Sequence, residues 1–174
     1  RIVDYFYTLV KDQPGEACRL LSQLASEDIN LLAFSAIPIG HEHTQLVIYP
    51  ENTEGLLRAA EKGGYSLTGP QRAILIQGDD HLGALVGYCQ KLSAADINIA
   101  ASSGVTDGRG GYGYVIHLRA DDIEDAAREL GAVGVLLHDL RQDTGATDNG
   151  DDAYQTRLDA WQWAFTSAAA RHPQ

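Results

Sequence analysis

Hydrophobic and polar positions divide the chain into short periodic stretches. Residues 2–10 crowd together Val3, Tyr5, Phe6, Tyr7, Thr8 and Val10, side chains that suit a pleated surface, and predict a strand. After Asp12-Gln13-Pro14-Gly15, apolar groups recur at steps of three and four through Ala17, Leu21, Leu24 and Ala25, with Cys18 beside them. That period predicts a helix with one buried face, and Pro14 fits its first turn because the missing N–H costs nothing there. Residues 29–39 and 44–49 predict two more strands, joined by the hairpin Gly40-His41-Glu42-His43. Asn52-Thr53 is placed to cap a second helix through Leu56, Leu57 and Ala60 that stops at Gly63-Gly64. A short strand at 65–68 follows, and Gly69-Pro70 breaks the chain.

The same order then returns: strand 72–77, helix 82–94, strand 97–105, a glycine-heavy turn at 106–113, strand 114–118, helix 121–130 and a closing strand at 133–137. Asp80, Gly83, Leu92, Asp96, Ile97 and Asn98 repeat Asp12, Gly15, Leu24, Asp28, Ile29 and Asn30 at a constant offset of 68 positions. The offset also matches Ser35 with Ser103, Gly40 with Gly108, Val47-Ile48 with Val115-Ile116, Glu61 with Glu129 and Gly63 with Gly131. Such register is duplication, so one module is used twice. Each copy reads β-α-β-β-α-β, an α+β unit whose two helices cover one face of an antiparallel sheet. The expected domains are 1–69 and 70–138, followed by an acidic, glycine-containing linker at 139–152 and an amphipathic helix at 153–170. In that helix Tyr154, Leu158, Trp161 and Phe165 recur at four, three and four. A stripe of this kind must be buried, on the chain's own sheet or helices, on a second copy, or on another protein.

Totals narrow the partners. Two units of roughly 70 residues are marginal alone, so mutual support is expected. With 13 basic and 24 acidic residues the net charge is −11 and the pI near 4.8, a field that repels phosphate backbones and anionic lipid. Neither nucleic acid nor membrane is expected as a partner. No apolar run approaches the ~20 residues of a membrane span, and no leader has the parts of a signal peptide, so the cytoplasm is the expected compartment. The absence of methionine, even at position 1, is read as a trimmed start. Cys18 and Cys89 fall on predicted helical stripes, where a reduced thiol acts as a small buried hydrophobe.

Asp-Gln-Pro-Gly, a helix and Asp-Ile-Asn-Leu, then Asp-Asp-His-Leu-Gly, a helix and Asp-Ile-Asn-Ile, resemble the ACT domain, a small ligand-sensing module of amino-acid metabolism. The likeness covers residues 3–137 in two copies. It implies two ferredoxin-like βαββαβ ACT domains with side-by-side antiparallel sheets, frequent homodimerisation, and a small-molecule ligand such as an amino acid held between domains. Carried over residue by residue, the resemblance assigns ligand binding to Asp12, Gln13, Gly15 and Asn30 in copy one and to Asp80, Gly83 and Asn98 in copy two. Copy two departs from the pattern, with His81-Leu82 where Gln13-Pro14 stand. Glycines at 15 and 83 let a carboxylate approach main-chain N–H groups at a helix start, and Asp12 offers a partner for an ammonium. The plain alternative makes the glycines turn residues, the aspartates helix caps, and Asn30 and Asn98 ties between strand and loop.

Other groups compete for a role. In an extended backbone His41 and His43 share one face and could ligate a divalent transition metal such as zinc, nickel or copper, with His81 and His117 as further candidates. The simpler reading is a solvated hairpin without a cofactor. His117, in the apolar strand 115–118, reads as a core or interface histidine. The Gly-x-Gly-Gly-x-Gly run at 108–113 lacks the strand-turn-helix setting of a phosphate loop and suggests instead a flap carrying Arg109 and Tyr112. Asp121 to Asp125 reads as acidic capping of a helix start. The leading expectation is a non-enzymatic amino-acid sensor working as a homodimer. The alternative is a small enzyme on the same scaffold, with His41, His43, Tyr112 or His117 at its centre.

Overall fold

The computed structural model describes residues 1–132. The closing strand expected at 133–137, the linker at 139–152 and the helix at 153–170 lie outside the described residues. The elements are β1 (Ile2–Lys11), α1 (Glu16–Ser26), β2 (Leu31–Ile39), β3 (His43–Pro50), α2 (Thr53–Gly63), β4 (Thr68–Asp79), α3 (Val86–Ala94), β5 (Ala101–Thr106), β6 (Gly111–His117) and α4 (Ile123–Glu129), with a 3-10 turn at Ala120–Asp122 before α4. The chain is α+β, as expected, and divides into two units. Among the described residues one is Asp4–Gln71; the other joins Arg1–Val3 to residues 72–132.

In the first unit β3 pairs antiparallel with β1 on one side (Phe6 opposite Ile48, Lys11 opposite His43) and with β2 on the other (Phe34 opposite Ile48, Ile39 opposite His43). Because side chains alternate, Phe6, Val10, Leu46 and Ile48 face one way and meet Leu20 and Leu24 of α1 and Leu56 and Ala59 of α2. Burying each large side chain there contributes on the order of 1.5–3 kcal/mol. The helical stripe differs by one position from the expected one. Leu20, not Leu21, is buried with Leu24, while Cys18 and Ala25 are exposed. Likewise α2 buries Leu56, Ala59 and Ala60 and leaves Leu57 45% exposed. The expected break at Gly69-Pro70 is absent: β4 starts at Thr68 and runs through that pair, whose peptide bond is cis. A Cβ at Gly69 would stand 2.9 Å from the Tyr5 carbonyl oxygen, so this glycine marks a close approach of two backbones rather than a stop.

The second unit repeats the pattern with β6 between β4 (Ile74 opposite Ile116) and β5 (Ala101 opposite His117). Its core gathers Ile74, Leu92, Ile97, Tyr114, Ile116, Ile123 and Ala126. At its edge Arg1 and Leu75 exchange two main-chain hydrogen bonds of 2.9 Å. Core positions Phe6/Ile74, Leu24/Leu92 and Ile48/Ile116 keep the offset of 68, but Leu56/Ile123, Ala59/Ala126 and the glycines Gly64/Gly131 are 67 apart. Copy two has therefore lost one residue between its third strand and second helix, and the expected matches Glu61/Glu129 and Gly63/Gly131 are replaced by this shifted set. The helix starts differ accordingly. Asn52 caps α2, its side-chain oxygen accepting from Gly55 N at 3.0 Å, whereas Arg119 stands in that place and offers no side-chain cap before a 3-10 first turn.

All four helices of the described residues end alike. Ile29 N donates to Leu24 O, Tyr65 N to Ala60 O, Ile97 N to Leu92 O and Ala132 N to Ala127 O, at 2.8 to 2.9 Å, and the residue before each donor is left-handed: Asp28, Gly64, Asp96 and Gly131. This six-to-one closure explains the Asp-Ile-Asn motif, since aspartate tolerates the left-handed region and the following isoleucine enters the core. No helix of the described residues is long and apolar enough to cross a membrane.

Candidate functional site

In each copy the loop after the first strand is fastened to the hairpin between the second and third strands by one main-chain bond. Asp12 N donates to Glu42 O at 2.8 Å, and Asp80 N donates to Gly110 O at 2.6 Å. Both donors and both acceptors are 68 residues apart, so the latch belongs to the module. Beyond it the chain turns through Gly15 (φ 94°) or Gly83 (φ 81°), a conformation that L side chains rarely adopt.

The first loop leads directly into a helix. Gly15 is the N-cap of α1, and no side chain caps that end. Pro14 thus precedes the cap instead of occupying the first turn. On the side where a Cβ would project from Gly15 there is nothing within 4 Å. Asp12 does not cap the helix; its carboxylate accepts a hydrogen bond from Thr44 Oγ1 at 3.0 Å. Glu16 in the first turn is paired with Arg19 at 2.6 Å. Gln13 is exposed beside them. An uncapped helix start with open space before it and a carboxylate alongside suits a small zwitterion.

The second loop has the same latch and different contents. Val86 N bonds Gly83 O at 2.9 Å and Ala84 N bonds His81 O at 3.0 Å, so turns replace the first part of the expected helix and α3 begins only at Val86. Leu82 is fully exposed. At the positions equivalent to Val10, Leu20 and Thr44 stand Gly78, Tyr88 and Tyr112. A Cβ on Gly78 would lie 3.2 Å from the Tyr112 ring, and the Tyr112 hydroxyl donates to Tyr88 Oη at 2.9 Å. Loss of hydration, then the Tyr88 bond and the charges of Asp79 and Asp80, push the Tyr112 phenol up to about 12. The turn above it is built on Asp107, whose Oδ1 accepts from Arg109 N (2.7 Å) and Gly111 N (2.9 Å). These two bonds hold its carboxyl below the usual range. The tyrosine pair was not anticipated; comparing the copies position by position would have exposed it. An open groove runs along α3 over Leu85, Val86, Cys89, Gln90, Ser93 and Ala94, leaving Cys89 exposed.

The asparagines stand elsewhere. Within the first unit Leu31 pairs with Pro50 and Ile39 with His43, so Asn30 lies at the opposite end of the sheet from Asp12 and Gly15. There its Nδ2 donates to Glu51 Oε2 at 2.9 Å, and Glu51 N returns a bond to Asn30 O at 3.0 Å. Asn98 is exposed, likewise at the far end from Asp80 and Gly83. Within a copy, the structure brings Asp12, Gln13 and Gly15 together, and Asp80 with Gly83, but not the asparagines.

The hairpin histidines are exposed. Residues 40–42 form a turn with Gly40 at φ 68°, so strand alternation does not carry His41 and His43 onto one face. Among the described residues no three His, Cys, Asp or Glu side chains group as a metal site. Tyr112 and His117 lie five residues apart on β6, at opposite ends and on opposite faces. Burial lowers the His117 imidazole to about 4.

No protein-family model matches the chain, and no curated protein matches it. Solved structures do. Protein BT0572 from Bacteroides thetaiotaomicron superposes with a TM-score of 0.64 at 17% identity, over 75% of this chain and 89% of that one. The ligand-free regulatory subunit of aspartate kinase from Thermus thermophilus gives 0.54 at 18% identity, over 75% and 93%. The corresponding subunit from Thermus flavus gives 0.50 at 19%, over 75% and 94%.

Proposed function

From a chain that carries the ACT-domain fold in two copies, we propose that this protein is a regulatory module that binds an amino acid at the loop after β1 and works as a cytoplasmic homodimer. The observation that carries the reading is the first loop itself: Gly15 left-handed and open, the start of α1 uncapped, and Asp12 held by Thr44. A ligand carboxylate would be received by main-chain N–H groups of the helix start, and its ammonium by Asp12. Gln13, exposed in the same loop, would contact the ligand's side chain. Binding would act by linkage, because contacts made in only one arrangement of the domains shift the population toward it. The aspartate kinase subunits that share the fold are regulatory by name, which supports a sensing role over a chemical one.

The test is thermal and chemical denaturation of the full chain with each amino acid in turn. A ligand of the folded state present at a hundredfold excess over Kd adds about 2.7 kcal/mol. Asp12→Asn is expected to abolish most of that gain, and Asp80→Asn to reduce it less. A panel in which no amino acid stabilises the protein would refute the proposal.

A further inference from the structure

The first unit carries at the start of α1 a set of side-chain contacts that the second unit lacks. Glu16 opens the helix, and Arg19 one turn later pairs with it at 2.6 Å. The Arg19 guanidinium also lies over the Tyr65 ring, 6.0 Å from its centroid. The end of α2 brings Tyr65 to that place: Gly64 turns left-handed, Tyr65 N closes the helix on Ala60 O at 2.9 Å, and the side chain packs at the border of the first unit's core. In the second copy Ala84, Gly87 and Ala132 stand where Glu16, Arg19 and Tyr65 stand in the first. Neither the ion pair nor the ring contact can form there.

Glu16 belongs to the very turn proposed above to receive a ligand carboxylate, a reading on which the present inference rests. Wherever its side chain points, the Glu16 carboxylate stays within one side-chain length of those main-chain N–H groups. An acidic group in a first turn draws on the positive end of the helix dipole and repels a second anion brought there. With its side chain only 21% exposed, Glu16 is incompletely screened by water. Uncompensated, it would compete with the ligand. Arg19 cancels its charge and engages its carboxylate, and no side chain caps the helix start. The pair adds little to the fold itself, because Arg19 is 66% exposed and exposed pairs at this spacing are weak. We propose that Arg19, seated on Tyr65, is a positioning residue for the first loop: it neutralises and holds Glu16, so that the start of α1 stays open to a ligand carboxylate.

Calorimetric titration of the full chain with the amino acid that stabilises it most tests this. Arg19→Ala should weaken binding by roughly threefold to tenfold at low ionic strength, and by less in high salt. Glu16→Gln added to Arg19→Ala should restore the original affinity, and Arg19→Lys alone should keep most of it. A residue that merely staples α1 to α2 behaves otherwise, since Glu16→Gln cannot rebuild a lost pair. Should Arg19→Ala fail to fold by circular dichroism, Arg19→Gln takes its place. Unchanged affinity in the folded Arg19 variant, or no recovery on adding Glu16→Gln, overturns the proposal and leaves the site standing if Asp12→Asn still abolishes binding. A wild-type chain that binds no amino acid overturns both.

Discussion

His117 makes stability depend on pH, and the size of the effect follows from its surroundings. Burial holds the imidazole at about 4 in the folded chain against an ordinary value of 6.5. A lowered histidine pKa means that the unfolded chain takes up the proton first, so acid favours unfolding. The contribution is complete above pH 6.5 and is lost as pH falls toward 4. Between pH 7.5 and pH 5 one such group costs about 2 kcal/mol, at a slope approaching 1.4 kcal/mol per pH unit in the middle of that window. Urea unfolding at pH 7.5, 6.5, 5.75 and 5 measures it directly, with the m-value checked for constancy. His117→Asn alters absolute stability through whatever contacts the ring makes, so the diagnostic quantity is the slope. The variant should lose most of the decline between pH 6.5 and 5. Equal slopes in both proteins would show that His117 is not the group responsible, and that its burial in solution is less than in the structure.

Two further predictions come from the repeat. Asp28 and Asp96 close their helices in the left-handed region, where glycine stands in the other two helices. Asp28→Gly or Asp96→Gly should therefore raise stability by roughly 0.5–1 kcal/mol in chemical denaturation, while Gly64→Ala should lower it by a similar amount. At the tyrosine pair, Gly78→Val alone should cost about 1–3 kcal/mol through overpacking against Tyr112. Combined with Tyr112→Thr it should cost less than the sum of the two changes, by on the order of 1 kcal/mol or more, in a double-mutant cycle. Additivity would mean that the ring and the missing side chain are not exchanging space.

Much of this architecture is legible in the sequence because it rests on period. β-Branched and aromatic runs at 2–10 and 44–49 became β1 and β3, and the 68-residue offset forecast a common fold for both copies. What the period does not fix is phase. Leu20 and Leu21 are adjacent and equally apolar, and a stripe drawn through Leu21 places Cys18 inward, although it is exposed. Gly69-Pro70 has the residues of a break, but the glycine is there because Tyr5 O passes too close for a Cβ. The candidate site divides similarly. Asp12, Gln13 and Gly15 are contiguous and had to fall together, whereas Asn30 precedes a strand that runs the full length of the sheet before it reaches their end. The pairing of Tyr88 with Tyr112 spans 24 residues, and local patterning has no term for it.

The two copies separate what the module requires from what each copy is free to vary. The latch between loop and hairpin, the left-handed glycine and the helix closures recur despite different side chains, so these three features do not depend on the residues that line the loop. The lining sets the chemistry. In the first copy Asp12 follows Lys11 and takes the Thr44 hydroxyl, which leaves a carboxylate of fixed orientation next to a cation and an open helix start. In the second, Asp79 precedes Asp80, Asp107 lies in the turn above, and the hydroxyl at position 112 is turned to Tyr88 instead. Adjacent carboxylates repel an incoming carboxylate, and the helix start that would offset them is delayed to Val86. The amino acid proposed as ligand is therefore expected at the first loop. The second keeps the latch and the glycine turn while its charges and its paired phenols favour structure over uptake, which is why Asp12→Asn and Asp80→Asn should differ in their effect on ligand-induced stability.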